Sequence, residues 1–298
     1  MVAECLEALA LSPGDTVVDG TVGQGGHLRA LLRAVQPGGR AIGCDLDSEA
    51  LTRVEAWLGE EMSAVTLVQG SFADLAPVVR QQVPGGVQGI LLDLGVSRDQ
   101  LISPRFSFQA GGPLDSRLDP AGAETAADLL AGADEAELTR ILRDYGDERF
   151  APRIARGIVA ARAQAPLTTT EQLVEVIRRA YPAGARHGRI HIATRTFQAL
   201  RIAVNRLYEA LDTALAELPA LLAPGGRLAI LTYHSGEDGR VKRAFRALSR
   251  AADDGTPAGF SLLTRRPLAP SPDECAANPG ARSARLRVLL ANPARSAA

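Results

Sequence analysis

The sequence contains little cysteine, and the three cysteines that it has lie far apart. Cys5, Cys44 and Cys275 show no CxxC spacing along the 298 residues, so neither a disulfide framework nor a zinc knuckle is expected. His187 and His191 have no carboxylate at ligand spacing, and we therefore expect no bound metal. This use of cysteine is typical of a protein in the reducing cytoplasm.

Long apolar runs are also absent. No run approaches the roughly 18 residues that a membrane helix needs. The first residues, from Met1 to Leu6, lack the basic segment of a signal peptide. Hydrophobic residues make up 46% and charged residues 22% of the chain, which is the composition of an ordinary globular protein. We therefore expect cytoplasmic localisation and no membrane partner.

Lysine is nearly missing, because Lys242 is the only one, and almost every positive charge is an arginine. The net charge of −1 conceals an uneven distribution. Residues 1–102 carry a net charge of −7 and residues 103–148 one of −6, whereas residues 149–206 hold 11 arginines and two acids, a net of +9. Such a local excess is typical of a surface that binds a polyanion such as nucleic acid. The alternative is a solvated helical face whose arginines cover apolar surface.

The first third of the chain alternates apolar strands with amphipathic helices. Strands are predicted at 16–19, 40–45, 65–68 and 89–94. The last of these has the continuous apolar character of a strand that is buried on both faces. This alternation predicts an α/β fold with a doubly wound parallel sheet.

The alternation stops after the fourth strand. Residues 103–199 show helical patterns but no comparable buried strand, which predicts a small helical domain inserted into the sheet domain. A long helix from about Thr194 to Leu222 then leads to a fifth strand and a final pair of strands. We therefore expect two domains, one formed by 1–102 with 200–298 and the other by 103–199.

A glycine-rich loop follows the first predicted strand and precedes a helix. Gly23, Gly25 and Gly26 let the backbone turn sharply and approach a ligand closely, and the helix N-terminus adds unpaired N–H groups. Asp45 lies twenty residues after Gly25, at the end of the second strand, where a carboxylate accepts hydrogen bonds from both hydroxyls of a ribose. The pattern predicts a site for a nucleoside-containing cofactor. The alternative is a purely structural turn from strand to helix.

The loop departs from the common phosphate-binding patterns, because it is not GxGxxG and lacks the GK[ST] ending. Asp19 stands at the entrance of the loop and His27 just inside the helix. An acid there suits a cationic group, such as the amino group of S-adenosylmethionine, better than a pyrophosphate. A nicotinamide-dependent dehydrogenase stays open as a rival enzyme class. A non-catalytic RNA-binding assembly factor is the rival outside enzymes.

Longer blocks carry a more specific signal than the loop alone. They include Val18–Thr21, Gly89–Ser97, Tyr145–Phe150 and Ala193–Ile202. In these blocks the chain closely resembles the bacterial small-subunit ribosomal RNA cytosine-N4 methyltransferase family, also called MraW or RsmH. The resemblance implies a class I methyltransferase (Rossmann-like) fold with an inserted helical RNA-recognition domain. It also implies S-adenosylmethionine as methyl donor and a decoding-region cytidine of 16S ribosomal RNA, within the assembled small ribosomal subunit, as substrate.

The cofactor positions of this family correspond to residues at the ends of the predicted strands. They are Gly25, Gly26 and His27 around the methionine moiety, Asp45 on the ribose, Phe72 against the adenine, and Asp93 and Gln100 after the fourth strand. Asp19 and Gly23, in the same loop, complete the predicted cofactor site.

Methyl transfer to an exocyclic amine requires that the lone pair of the nitrogen is aimed at the methyl group. We expect Asp93 and Ser97, in the segment that follows the fourth strand, to bind the N–H groups of a cytosine that has left its stack. The arginines of the basic segment are predicted to contact the RNA backbone. These are Arg149, Arg153, Arg156, Arg195, Arg201 and Arg206.

Overall fold

The N-terminal part of the chain alternates helix and strand in the computed structural model, which describes residues 1–95, 106–108, 111–186, 191–251 and 258–293. Ser97, Gln100 and His187, which were singled out in the sequence, lie outside the described residues. The elements up to residue 93 are α1 (Val2–Leu9), β1 (Thr16–Asp19), α2 (Gly26–Val35), β2 (Arg40–Asp45), α3 (Ser48–Leu58), β3 (Val65–Gln69), α4 (Leu75–Gln82) and β4 (Val87–Asp93).

Helices dominate the middle of the chain, and the remaining strands follow near its end. The middle elements are α5 (Ala126–Gly132), α6 (Glu135–Gly146), α7 (Ala151–Arg162), α8 (Thr170–Ala180) and α9 (Thr194–Val204). The last elements are α10 (Leu207–Glu217), β5 (Leu222–Thr232), α11 (Ser235–Leu248), β6 (Phe260–Leu262), α12 (Pro272–Ala277) and β7 (Arg285–Ala291).

Within the described ranges, seven strands form one sheet in the order β3-β2-β1-β4-β5-β7-β6. Strands β1 to β5 run parallel, whereas β7 is antiparallel to β5 and β6 is antiparallel to β7. The carboxyl ends of the parallel strands meet at one edge. The strand order reverses between β1 and β4, and ligands bind at such a switch point in open sheets. The predicted doubly wound α/β sheet is therefore confirmed.

Helices cover both faces of the sheet, because successive strand residues point to opposite faces. Val17 and Leu91 belong to a hydrophobic cluster with α1, α2 and α3. Val18 and Ile90, their neighbours in the chain, belong to a second cluster with α4, α10 and α11. All four side chains are fully buried. Burial on both faces explains why β4 is apolar along most of its length.

The chain divides into two compact units. The first, the sheet unit, consists of Met1–Gly95 and Glu209–Ala298, and the second, the helical unit, is Val96–Tyr208. The helical unit extends a few residues beyond the predicted 103–199 at both ends. No helix in the described part of either unit is long and apolar enough to cross a membrane.

The helical unit has its own hydrophobic core. Leu138, Ile154 and Leu200, from α6, α7 and α9, are fully buried in it. In the described part of this unit, β pairing is limited to an isolated bridge between Pro113 and Thr169. A helical insertion between β4 and β5 was predicted and is confirmed.

The single long helix predicted for 194–222 is wrong. The chain forms α9 and α10 instead, and Arg206 between them adopts a left-handed φ of 49°. The side chain of Asn205 accepts a hydrogen bond from the amide of Leu118 and donates one to the carbonyl of Ser116, both at 2.7 Å. These tertiary contacts and the left-handed residue end the helix, and hydrophobic periodicity does not reveal them.

Candidate cofactor and active site

The glycine loop is tied to both neighbouring strands through its backbone. The amide of Gly20 donates to the carbonyl of Leu91 in β4 at 2.9 Å, and that of Val22 donates to Cys44 in β2 at 3.0 Å. Within the loop, the amide of Gly25 donates to Val22 at 2.7 Å. The loop is therefore held at the edge of the sheet where the strand order reverses.

Gly25 occupies a position that admits no other residue without strain. Its φ is 78°, in the left-handed region, and a Cβ atom there would collide with the ring of Trp57 and lie 3.0 Å from Val54 Cγ2. Arg29 stacks on the same ring, with its guanidinium carbon 4.4 Å from the centroid of Trp57. Gly26 follows as the first residue of α2, so the amide groups of the helix N-terminus begin directly after the turn.

Asp19, at the end of β1, is the most deeply buried acid of the site, with no exposed surface. Its Oδ1 accepts a hydrogen bond from the amide of Thr21 at 3.1 Å, whereas its Oδ2 has no hydrogen-bond partner within the described residues. Burial, with smaller contributions from the charges of Asp93 and Asp45, raises the pKa of Asp19 to about 7. A cationic group placed at Oδ2 would favour the ionised carboxylate. This buried acceptor fits the amino group of S-adenosylmethionine.

Asp45, at the end of β2, binds the backbone of the glycine loop. Its Oδ2 accepts from the amide of Gly23 at 2.7 Å and its Oδ1 from the amide of Asp47 at 2.9 Å. Burial raises the pKa of Asp45, and the hydrogen bonds from Asp47 and Gly23 oppose that shift. Because each carboxylate oxygen carries two lone pairs, both oxygens keep acceptor capacity for hydroxyl groups. The ribose contact of Asp45 stays a prediction.

Asp93 ends β4 and makes contacts through both its backbone and its carboxylate. Its backbone amide donates to Thr21 Oγ1 at 2.7 Å, its Oδ1 accepts from the amide of Gly95 at 3.2 Å, and its Oδ2 lies 3.5 Å from Nδ1 of His27. The sequence alone indicated no role for Thr21. It lies inside the matched block, but no spacing rule indicates which loop side chain reaches β4.

The imidazole of His27 faces Asp93, so its role extends beyond the backbone contact that was predicted. Burial lowers the pKa of His27, and the charge of Asp93 opposes this shift. A neutral imidazole has one donor and one acceptor nitrogen. Nε2 is buried and has no hydrogen-bond partner in the described part of the chain.

Phe72 lies just after β3, in a short turn that Ser71 caps by accepting from the amide of Ala73. It is 8% exposed and belongs to the hydrophobic cluster with α4, α10 and α11. A Cβ built on Gly20 would lie 3.2 Å from the Cβ of Phe72, so Phe72 borders the glycine loop. Its contact with adenine stays a prediction.

The six predicted RNA-contacting arginines belong to the helical unit, and most are solvent-exposed. Arg149, Arg153, Arg156, Arg195 and Arg206 are exposed, and Arg201 is half-buried. Arg156 lies 3.6 Å from a carboxylate oxygen of Glu135, and Arg195 donates to the carbonyl of Asp147 at 3.1 Å. Their RNA contacts stay predictions.

A buried acid directly precedes one of these arginines in the chain. Glu148, 1% exposed, accepts hydrogen bonds from the hydroxyl of Tyr181 at 2.6 Å and from the amide of Phe150 at 2.8 Å. Burial and the bond to Glu148 raise the pKa of Tyr181, and the nearby charges of Arg195 and Arg149 oppose that shift. Sequence analysis included Glu148 in a matched block but assigned it no function. In the structure, Glu148 accepts hydrogen bonds inside the helical unit.

The described residues contain no group of three or more His, Cys, Asp and Glu side chains able to hold a metal ion.

The described residues contain a parallel sheet with a switch point, a glycine loop held there, and carboxylates at the ends of β1, β2 and β4. This arrangement defines an α/β enzyme that binds a nucleoside-containing cofactor. The chain belongs to the MraW methylase family, whose model matches residues 1–291. The predicted family is thus confirmed, and membership in a methylase family argues against the dehydrogenase alternative.

Relatives of nearly the same length share almost half of the sequence. The ribosomal RNA small subunit methyltransferase H of Syntrophotalea carbinolica is 47% identical over 301 residues, which covers 97% of this chain and 96% of that protein. The protein of the same name from Myxococcus xanthus is 45% identical over 97% of this chain and 95% of its own. A SAM-dependent O-methyltransferase structure from Thermotoga maritima is 12% identical with a TM-score of 0.40, over 99% of this chain and 66% of that one.

Proposed function

We propose that this protein transfers a methyl group from S-adenosylmethionine to N4 of a cytidine in the decoding region of 16S ribosomal RNA. Membership in the methylase family and the names of the relatives support the reaction and the class of substrate. The observation that carries the cofactor assignment is the fully buried Asp19, whose Oδ2 has no hydrogen-bond partner among the described residues.

The residues at the carboxyl edge of the sheet fit this cofactor. Asp19 would accept the amino group, Asp45 the ribose hydroxyls, and the backbone of the glycine loop would line the methionine moiety. Phe72 would pack against the adenine, where an aromatic face is favourable. When bound, S-adenosylmethionine supplies a methyl group activated by its sulfonium sulfur.

Asp93 is the side chain that we assign to the methyl acceptor. The lone pair of a cytosine N4 is delocalised into the ring, so an acceptor that binds its N–H group helps to turn the lone pair outward. The lone pair of N4 forms the new N–C bond while the C–S bond of the donor breaks. The proton on N4 then passes to water. Asp93, with Ser97, orients the amine in this proposal and is not required as a base.

The helical unit would hold the RNA strand. Guanidinium groups bind phosphates as bidentate donors, and the segment 149–206 has a net charge of +9. A base inside a helix must leave its stack to reach the methyl donor. We propose the assembled small ribosomal subunit, in the cytoplasm, as the substrate.

The test is to incubate the protein with labelled S-adenosylmethionine and either assembled small subunits or free 16S ribosomal RNA that lacks the modification. Nuclease digestion and mass spectrometry then identify the methylated nucleoside. We expect N4-methylcytidine at one site with assembled subunits and none with Asp93→Ala, which should still fold without the cofactor. Label on another base or atom would overturn the proposal. RNA binding without any methyl transfer would instead indicate the non-catalytic assembly factor.

A further inference from the structure

Tyr233 lies directly after β5, beside the end of β4. Asp93 is in register with Leu231 of β5, and the amide of Leu94 donates to the carbonyl of Leu231 at 3.0 Å. Tyr233 is two residues further along, so its side chain is level with the segment that follows Asp93.

The tip of the Tyr233 ring and the carboxylate of Asp93 meet at Gly95. A Cβ atom built on Gly95 would lie 2.7 Å from Tyr233 Cε2, 3.0 Å from Tyr233 Cζ and 3.2 Å from Asp93 Oδ1. The ring carbon that bears the hydroxyl of Tyr233 and the Oδ1 atom of Asp93 therefore both lie close to the same position beside Gly95. Gly95 leaves the space that lets them approach each other.

Tyr233 is also held through its backbone and by the packing of its ring. Its backbone amide donates to Oε2 of Glu237 at 3.0 Å, and Oε1 of the same carboxylate lies 2.7 Å from Nε2 of His234. Glu237 is buried in the first turn of α11, and the Tyr233 ring packs against the hydrophobic cluster of α1, α2 and α3. A side chain fixed in this way is suited to position another group.

The hydroxyl of Tyr233 stays protonated and is therefore available as a donor to Asp93. Burial raises the pKa of Tyr233, and the charge of Asp93 and the hydrogen bond to it raise it further. Asp19, Cys5 and His27 also interact electrostatically with Asp93. A neutral donor such as the Tyr233 hydroxyl can hold the carboxylate in one orientation without adding a further charge.

We infer that Tyr233 is a positioning residue that holds the carboxylate of Asp93, through its hydroxyl, in the orientation that receives the target amine. This inference rests on the proposed function, because it assigns Asp93 to the methyl acceptor. Tyr233 acts through Asp93 and touches neither the methyl group nor the amine.

The first test is Tyr233→Phe, which keeps the ring and removes the hydroxyl. We expect kcat to fall about 10- to 100-fold, the effect of losing one hydrogen bond to a charged group, while KM for S-adenosylmethionine changes little. A fall in kcat without a change in KM distinguishes a misplaced carboxylate from a damaged cofactor site. A kcat equal to that of the wild type would overturn the inference.

The matched control is Tyr181→Phe, which removes the hydroxyl of another tyrosine that donates to a buried carboxylate, Glu148, in the helical unit. It should lower the unfolding midpoint and leave kcat close to the wild-type value. An equal fall of kcat in this control would show that general destabilisation, and not Asp93, causes the effect.

The second test needs no activity and therefore separates this inference from the proposed function. The unfolding midpoints of Tyr233→Phe, Asp93→Asn and the double variant are compared in denaturant. The double variant should be shifted by less than the sum of the single shifts, because both remove the same bond. Additive shifts would overturn the inference. If the shifts are coupled but the protein methylates no cytidine, the bond between Tyr233 and Asp93 is only structural. That result would overturn both the positioning role and the proposed function.

Discussion

The amide of Asp93 donates a hydrogen bond to the hydroxyl of Thr21 at 2.7 Å, and the amide of Thr21 donates to the carboxylate of Asp19 at 3.1 Å. Two strand ends, those of β1 and β4, are thereby connected through one loop residue. In the proposed function Asp19 holds the methyl donor and Asp93 the methyl acceptor. Thr21 therefore links the residues that place the two reactants.

Thr21→Val tests this link, because valine has nearly the same shape and lacks the hydroxyl. The amide of Asp93 then loses its acceptor, and we expect the free energy of unfolding to fall by about 1–3 kcal/mol. Affinity for S-adenosylmethionine, measured by calorimetry, should fall as well. Thr21→Ser retains the hydroxyl and should remain close to the wild type in both measurements. A valine variant equal to the wild type in both measurements would show that the hydrogen bond is not what the site requires.

The buried carboxyl of Asp19 should make the stability of the ligand-free protein depend on pH. Its pKa is raised from 3.8 to about 7 in the folded protein, so between these values the folded state binds more protons than the unfolded state. The free energy of unfolding should therefore fall as the pH rises from about 4 to about 7. Asp19→Asn has no such proton to lose and should show a weaker decrease over this range in denaturant titrations.

The same carboxyl predicts that the cofactor releases a proton when it binds. An amino group next to Asp19 favours the ionised form, so binding of S-adenosylmethionine at about pH 6, below the raised pKa of Asp19, should displace its proton. Calorimetry in two buffers of different ionisation enthalpy measures this release. Asp19→Asn should bind more weakly and release no proton at this position. Proton release that is unchanged in Asp19→Asn would show that another group titrates.

The positions of the main carboxylates could be predicted from the sequence, because parallel strands place their carboxyl ends at one edge. Asp19, Asp45 and Asp93 each end an apolar run, and that pattern is local. The hydrogen bond between Thr21 and Asp93 could not be predicted in the same way. It joins residues 72 positions apart, and it depends on the register of β1 against β4. The break at Asn205 is also a tertiary effect, since its side chain is bound to a segment almost ninety residues earlier.

Gly25 should not tolerate a side chain, because its φ is 78° and Trp57 occupies the space of a Cβ atom. We expect Gly25→Ala to weaken binding of S-adenosylmethionine at least about tenfold and to destabilise the fold by about 1–3 kcal/mol, from the combined strain and overlap. Gly85→Ala is the control, since a Cβ there meets no atom within 4 Å. The fluorescence of Trp57, the sole tryptophan of the chain, reports on the loop. An unchanged emission spectrum and affinity in Gly25→Ala would contradict the close packing.

The arginines of the helical unit should make RNA binding depend steeply on salt, because each bound phosphate releases counterions. Arg149→Ala and Arg153→Ala, at two solvent-accessible positions, should each reduce affinity for 16S ribosomal RNA. Each should also reduce the magnitude of the negative slope of log K against log salt concentration. The reduction should be about 0.7 for every single-strand phosphate that the variant no longer binds. Arg178→Ala, whose guanidinium is bound to Glu175 on the same unit, should leave the slope unchanged. If all three variants kept the wild-type slope, the excess of arginine would be a solvated helical face and the RNA would be held elsewhere.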